Sequence, residues 1–167
     1  MKGLTTFLVF AGLALVAAAP ATAAPRACSK SVIKDKIRHQ DLLTQAQIDE
    51  GGIDAVICAD LTGDGRAEGL FTVGSGGTQG DQAYGVLKGG PRNGAGGIVM
   101  WLDRPGIAIA RRSSTSYEIA YPRFAAGDAG CCPSAYRIWR YVWRGGPIFA
   151  HASSATISSL PSRFRGG

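Results

Sequence analysis

The sequence is poor in charged residues and in histidine, and both shortages exclude classes of protein. Only 18% of the 167 residues are charged, and the 24 glycines follow no three-residue period. Long coiled coils, charged disordered tails and collagen-like chains have other compositions. The two histidines, His39 and His151, stand beside no obvious nucleophile. We therefore expect that the protein is not an enzyme.

Motifs for phosphate and redox chemistry are also missing. The glycine-rich segment 74–80 lacks the lysine and the helix of a phosphate-binding loop. The chain contains no C-x-x-C pair, so its cysteines are not predicted to be redox-active. Binding and structural roles remain.

Residues 1–23 have the pattern of a secretory signal peptide. Lys2 gives a positive start, 7–19 is apolar and uncharged, and Ala21 and Ala23 form a small-x-small cleavage pattern. The apolar stretch is shorter than the roughly 20 residues of a transmembrane helix. We predict a cleaved signal and a secreted, periplasmic or cell-envelope protein, with no transmembrane segment in the mature chain.

Charge is distributed unevenly along the mature chain. Residues 24–103 have eight Lys or Arg against ten Asp or Glu, a net charge of −2, whereas 104–167 has nine Arg against two acids, a net charge of +7. Such asymmetry fits an anionic partner, for example a cell-envelope polymer. It also fits a solvated surface without a partner. An exported protein is not expected to bind nucleic acid.

The four cysteines are predicted to be oxidised, because an exported domain with an even number of them usually forms disulfides. A bridge between the neighbours Cys131 and Cys132 closes a small ring, which geometry disfavours. We therefore expect Cys28 and Cys58 each to pair with one of these two.

Hydrophobic periodicity predicts a short helical segment followed by strands. One helix is predicted over 32–37, capped by Ser29 or Ser31, and another within 41–50. Strands are predicted at 53–59, 69–74, 84–88, 98–102, 107–112, 117–121, 136–143 and 148–152.

Short connections between these strands indicate antiparallel neighbours, because parallel pairs need long crossovers. The turns at 104–106 and 145–146 are typical of hairpins. We predict a mainly β (α+β) fold, an antiparallel, strongly twisted meander or partly closed barrel with a short N-terminal helical segment. It forms one domain at 24–152, followed by a flexible tail at 153–167 that is rich in Ser, Gly and Arg.

An acidic loop connects the first two predicted strands. Its oxygen donors are predicted calcium ligands: Asp60, Thr62, Asp64, the Arg66 carbonyl and Glu68. The string resembles the D-x-D-x-D-G loops of FG-GAP and VCBS-type extracellular repeats. It also fits a loop without metal, in which the carboxylates accept backbone N–H groups.

The strand at 136–143 is rich in aromatic residues and arginine. Alternation places Trp139, Tyr141 and Trp143 on one face. If that face is exposed, its rings can stack on sugars while Arg137 binds an acidic group. If it is covered, the strand is central and its aromatic residues form core, which is their commoner use.

The order of these motifs resembles a known group. The acidic loop, then Tyr84-Gly85-Val86-Leu87, then Cys131-Cys132-Pro133-Ser134 with the arginine- and aromatic-rich strand, is similar to small exported bacterial proteins of the LppP/LprE lipoprotein group. The resemblance implies an envelope location and a shared scaffold, and it transfers no catalytic residue. The residues before Cys28 form no lipobox, which departs from that group.

These patterns predict an exported, non-catalytic β-rich domain that acts as a binding or structural module of the cell envelope. Two alternatives remain open. One is a calcium-dependent recognition or adhesion module built on the acidic loop. The other is a cell-wall glycan binder or hydrolase inhibitor that uses Arg137, Trp139, Tyr141 and Trp143.

Overall fold

A computed structural model describes residues 24–77, 80–145 and 149–166, so the predicted signal peptide lies outside the described residues. A 3₁₀ turn at Arg26–Cys28 and two helices, α1 (Lys30–His39) and α2 (Gln45–Gly51), come first. Eight strands follow in the described ranges: β1 (Ile53–Ala59), β2 (Glu68–Gly74), β3 (Asp81–Gly89), β4 (Ala95–Asp103), β5 (Ala108–Ser113), β6 (Ser116–Arg123), β7 (Ala135–Val142) and β8 (Ala150–Ile157). Within those ranges, no helix has the length and apolarity to cross a bilayer.

The strands form two antiparallel sheets, in the orders β1-β2-β3-β4 and β5-β6-β7-β8. Each sheet is a meander in which every strand pairs with its neighbour in sequence. The predicted mainly β class, the antiparallel pairing and the helical start are confirmed. The described strands do not close into a barrel.

We predicted a hairpin turn at 104–106, and this prediction was wrong. The turn connects β4 of the first sheet to β5 of the second sheet. Backbone N–H groups of Arg104 and Gly106 donate to the carbonyls of Gln82 and Asp81, at the start of β3. These bonds continue the β3–β4 pairing just beyond Asp103 and hold the turn against β3, and the next strand, β5, belongs to the second sheet. Gly106 takes a φ of 69° there, which favours glycine.

The main core lies between the two sheets. It contains the aliphatic residues of both inner faces and four tyrosines, Tyr84, Tyr117, Tyr121 and Tyr141. The helices cover the outer face of the first sheet, where Ile33 and Ile37 belong to one cluster with residues of β2 and β3. Thr44 begins α2 with a reciprocal capping box, which satisfies two otherwise unpaired groups.

The disulfide prediction was wrong in its pairing. Cys28 bonds to Cys58, and Cys131 bonds to its neighbour Cys132. The 3₁₀ turn rests against β1 and β2, which places Cys28 beside Cys58 and leaves the two later cysteines to pair with each other. The first bridge ties the N-terminal segment to β1, and the second stays within one surface loop.

The C-terminal segment differs from the predicted flexible tail at 153–167. Its first five residues complete β8, and Phe164 is buried against the outer face of the second sheet. Arg163 forms two hydrogen bonds with the Glu118 carboxylate. Backbone groups of Arg165 and Ile109 bond to each other in both directions. These contacts anchor a segment whose composition alone is typical of a free tail.

Candidate functional site

The aromatic strand β7 contributes its predicted face to the core. Tyr141 is buried in the main cluster, and Trp139 and Trp143 are partly buried against it. The ring of Trp143 lies 5.2 Å from that of Phe149. The three residues therefore share a face, as predicted, but Tyr141 is not available to stack on a sugar.

Trp139 lies at the border between the core and the surface. Its ring centroid is 5.3 Å from that of Tyr121 and 4.7 Å from that of His151. The guanidinium of Arg137 lies 5.8 Å from the same ring, a cation–π geometry. Trp139 is thus fixed on three sides while part of its surface remains accessible.

A surface pocket of about 260 Å³ opens beside Trp139. Its walls come from the inter-sheet turn, the end of β6 and the start of β7, and we call it the arginine pocket. Its lining residues are Arg104, Tyr121, Pro122, Arg123, Arg137 and Trp139. The pocket therefore combines three guanidinium groups with two aromatic rings.

Strand pairing explains why these side chains meet. Tyr121 of β6 lies opposite Arg137 of β7 in the antiparallel register, so both are on the same face of the second sheet. Arg104 approaches from the inter-sheet turn, and its guanidinium lies 5.5 Å from the Tyr121 ring. Each of these two arginines thus lies beside an aromatic ring of the pocket.

The arginine pocket has an uncompensated positive charge. Arg104, Arg123 and Arg137 are exposed, and in the described part of the chain none of them forms a salt bridge. None of the lining residues is acidic. Burial raises the pKa of the Tyr121 phenol, so this ring stays neutral at physiological pH. The pocket suits an anionic group next to a flat, weakly polar ring.

The acidic loop directs its first carboxylate to its own backbone. The Asp60 oxygens accept hydrogen bonds from the N–H groups of Gly63, Asp64 and Gly65, at 2.7, 3.2 and 2.9 Å. Asp64 accepts a further bond from the Arg66 N–H at 3.0 Å. The loop therefore has the hydrogen-bonded form that was the alternative to a calcium site.

Glu68 points away from Asp60 and Asp64, into the protein. It is fully buried, and its oxygens accept the N–H groups of Leu61, Thr62 and Gly89 at 2.8, 3.1 and 3.3 Å. Burial raises its pKa, against the opposing effect of these hydrogen bonds. In the part of the chain that is described, no three Asp, Glu, His or Cys side chains are grouped to hold a metal ion.

The calcium interpretation remains a prediction, and a thermal measurement tests it. We expect about 10 mM CaCl₂ to leave the melting temperature within 1 °C of the EDTA-treated protein, because ligation would displace hydrogen bonds that the loop already makes. A weak extracellular-type site with a Kd of about 1 mM would add about 1.4 kcal/mol at that concentration. A calcium-specific rise of several degrees, absent with magnesium, would establish the site.

The pocket contains residues that the sequence indicated and others that it did not. Arg137 and Trp139 were predicted binding residues and lie in the pocket, whereas Trp143 lies near Phe149, away from it. Tyr121 and Arg123 follow from the β6–β7 pairing once the register is known. Arg104 had no signal in the sequence, because its position depends on the crossing between the sheets.

Comparisons with known proteins give no relative. No protein-family model matches the chain, and no curated protein or solved structure matches it. The functional argument therefore depends on the pocket and on the chemistry of its residues.

Proposed function

We propose that this chain is an exported binding module of the cell envelope that uses the arginine pocket to hold an anionic polymer built of sugar units. It acts by binding and catalyses no reaction. The single observation behind the proposal is the grouping around Trp139 and Tyr121 of three arginines that form no salt bridge with any described residue.

The three guanidinium groups favour a negatively charged ligand. Arginine presents a planar set of donors that matches carboxylate and phosphate oxygens. Because each of the three groups is exposed, one contact contributes at most about 1 kcal/mol. Three together make binding selective for polymers that repeat an anionic group, and they make it sensitive to salt.

The aromatic rings favour a sugar next to that anion. Trp139 is held by Tyr121 and His151, so it loses little conformational freedom when a ligand packs against it. Its exposed part supplies an apolar surface beside the guanidinium of Arg137. A sugar ring bearing a carboxylate or a phosphate fits both parts.

Export is part of this proposal. The signal-like pattern of 1–23 supports it. The Cys28–Cys58 disulfide also supports it, because disulfides persist in oxidising compartments. The hydrolase-inhibitor alternative stays a prediction.

Binding to polygalacturonate tests the proposal, since this polymer repeats a carboxylated sugar. We expect the double variant Arg123→Ala/Arg137→Ala to bind about tenfold more weakly than the unchanged chain, a loss of about 1.4 kcal/mol. Calorimetry or biolayer interferometry at about 50 and 300 mM NaCl measures the affinity. The unchanged chain should bind less tightly in the higher salt.

A matched double variant separates the pocket from general charge attraction. Arg111→Ala/Arg144→Ala removes the same charge from two exposed positions outside the pocket, one in β5 opposite Tyr117 and one just after the end of β7, and we expect a loss below twofold. Equal losses in the two variants would reject the pocket as the site. Dextran, which has sugars without charge, and polyphosphate, which has charge without sugars, should both bind more weakly than polygalacturonate.

A further inference from the structure

A groove opens beside the arginine pocket, next to the loop that connects β6 to β7. Its volume is about 310 Å³, and its lining residues are Pro105, Gly106, Phe124, Asp128 and Gly130. A smaller cavity of about 110 Å³ shares three of these residues and extends to Tyr136 and Leu160. We call the two cavities together the Phe124 groove.

Phe124 gives this groove an apolar wall. Its side chain is 50% exposed, and no other large hydrophobic side chain in the described ranges is exposed. Single exposed apolar residues are common on protein surfaces, but Phe124 lines both cavities. A concave apolar wall of this kind suits the apolar part of a ligand.

The loop that follows Phe124 is fixed from within. The Asp128 carboxylate accepts the backbone N–H groups of Ala125 and Ser134 at 2.7 and 2.8 Å, and the Ser134 hydroxyl also donates to it. This acidic group is therefore engaged by the loop itself. Because the loop is already ordered, it loses little conformational freedom when a ligand binds.

The Phe124 groove and the arginine pocket are adjacent along the chain at two places. Arg104 lines the pocket, and the two residues after it line the groove. Arg123 lines the pocket, and Phe124, the next residue, lines the groove. Pro122 lines the pocket and the smaller cavity of the groove. Since neighbouring Cα atoms are about 3.8 Å apart, one small ligand can occupy both sites.

We propose that the anionic glycan held by this module carries an aliphatic chain, with the charged sugar in the arginine pocket and the chain in the Phe124 groove. This inference rests on the proposed function, because the arginines place the charged end of the ligand. A lipid-linked sugar presents the anion and the apolar group in one molecule, which matches the adjacent charged and apolar sites.

The size and division of the groove favour a flexible chain. An apolar cavity of about 150 Å³ is large enough for benzene, so a groove of about 310 Å³ accommodates several methylene groups. The groove consists of two cavities that share Phe124. A chain that bends can follow both cavities, whereas a rigid ring system fits only one.

NMR titration with methyl glucuronide and octyl glucuronide, at concentrations below micelle formation, tests the inference. The two ligands have the same charged sugar and differ only in the length of the alkyl group. We expect octyl glucuronide to bind the unchanged chain at least tenfold more tightly, because burial of two methylene groups is sufficient for about tenfold. Equal affinities would overturn the inference.

Two variants disrupt the groove in different ways. Phe124→Ser removes its apolar wall, and Gly130→Leu fills it. A Cβ at Gly130 would meet no heavy atom within 4 Å, and Phe124 is exposed, so both variants should keep the melting temperature. In both, the advantage of octyl over methyl glucuronide should fall below threefold. Phe124→Leu keeps an apolar wall and should retain most of that advantage. A full advantage in both disrupting variants would place the chain elsewhere and overturn the inference.

Octyl glucoside, which has the chain and the sugar without the charge, separates this inference from the proposed function. We expect it to bind more weakly than octyl glucuronide and to be insensitive to Arg123→Ala/Arg137→Ala. If polygalacturonate binds at the arginine pocket and the octyl chain adds nothing, only the inference fails. If both octyl ligands bind equally and both depend on Phe124, the groove holds a chain but the arginines select no anion, and the proposed function fails.

Discussion

Replacing Cys28 and Cys58 together by alanine is expected to lower the free energy of unfolding by about 3.5 kcal/mol. The bridge joins residues 30 positions apart. In the chain-entropy model, a bridge that closes a loop of that length lowers the conformational entropy of the unfolded chain by an amount equivalent to about 3.5 kcal/mol. Urea unfolding at equilibrium, followed by fluorescence, measures the change.

The surroundings of this bridge indicate that its loss also affects the native state. Ala27 is fully buried beside it, and a Cβ on Gly69 would lie only 2.0 Å from the Ala27 carbonyl oxygen. The 3₁₀ turn therefore lies directly against the β2 backbone. Without the covalent link, this close contact and the packing of α1 on the first sheet have to hold the N-terminal segment.

The second disulfide provides a matched control. Cys131→Ala/Cys132→Ala removes a bridge of sequence separation 1, for which the same relation gives about 1 kcal/mol. The two double variants change the same number of atoms. Equal destabilisation would show that loop closure is not the source of the effect.

Glu68→Ala is expected to destabilise the protein by about 3 kcal/mol. The change leaves three backbone N–H groups, those of Leu61, Thr62 and Gly89, without their acceptor in a buried setting. Asp64→Ala in the same loop is the control. The Asp64 side chain is 32% exposed, and its ion pairs with Arg66 and Lys88 are long, at 3.9 and 4.0 Å, so we expect less than about 1 kcal/mol.

The dependence on pH identifies the charge state of Glu68. Its folded-state pKa is raised above 4.5, chiefly by burial, so the native state binds this proton more tightly than the unfolded state does. Its contribution to stability is therefore present below pH 4.5 and is lost as the pH rises through the folded-state pKa. In Glu68→Gln this dependence should disappear, which unfolding at pH 4 and pH 7 would show. An unchanged pH dependence would contradict the raised pKa.

Local patterns in the sequence were sufficient to predict the strands, and they were insufficient for the way the sheets divide. The alternation in 53–59 gives β1 with its observed bounds. The turn at 104–106 resembles a hairpin turn in sequence because proline and glycine occur both in hairpin turns and in connections between two sheets. Its hydrogen bonds go to Gln82 and Asp81 at the start of the neighbouring strand β3, about 20 residues earlier in the chain, and no local pattern shows them.

Contacts distant in sequence also account for the other differences. The pairing of Cys28 depends on where the 3₁₀ turn packs. The fixed position of the C-terminal segment depends on the contact between Arg163 and Glu118, which are 45 residues apart. In the candidate site, Arg137 and Trp139 are neighbours in one strand and could be predicted together. Arg104 belongs to another part of the chain and could not.

The arginine pocket exists only when the two sheets are docked, because Arg104 comes from their connection and Arg123 and Arg137 come from the second sheet. A short peptide copied from β7 would therefore lack the site. Any ligand that fills it also favours the folded chain, by about 2.7 kcal/mol at one hundred times its Kd. An envelope polymer present in such excess would make this small domain harder to unfold and slower to be degraded where it resides.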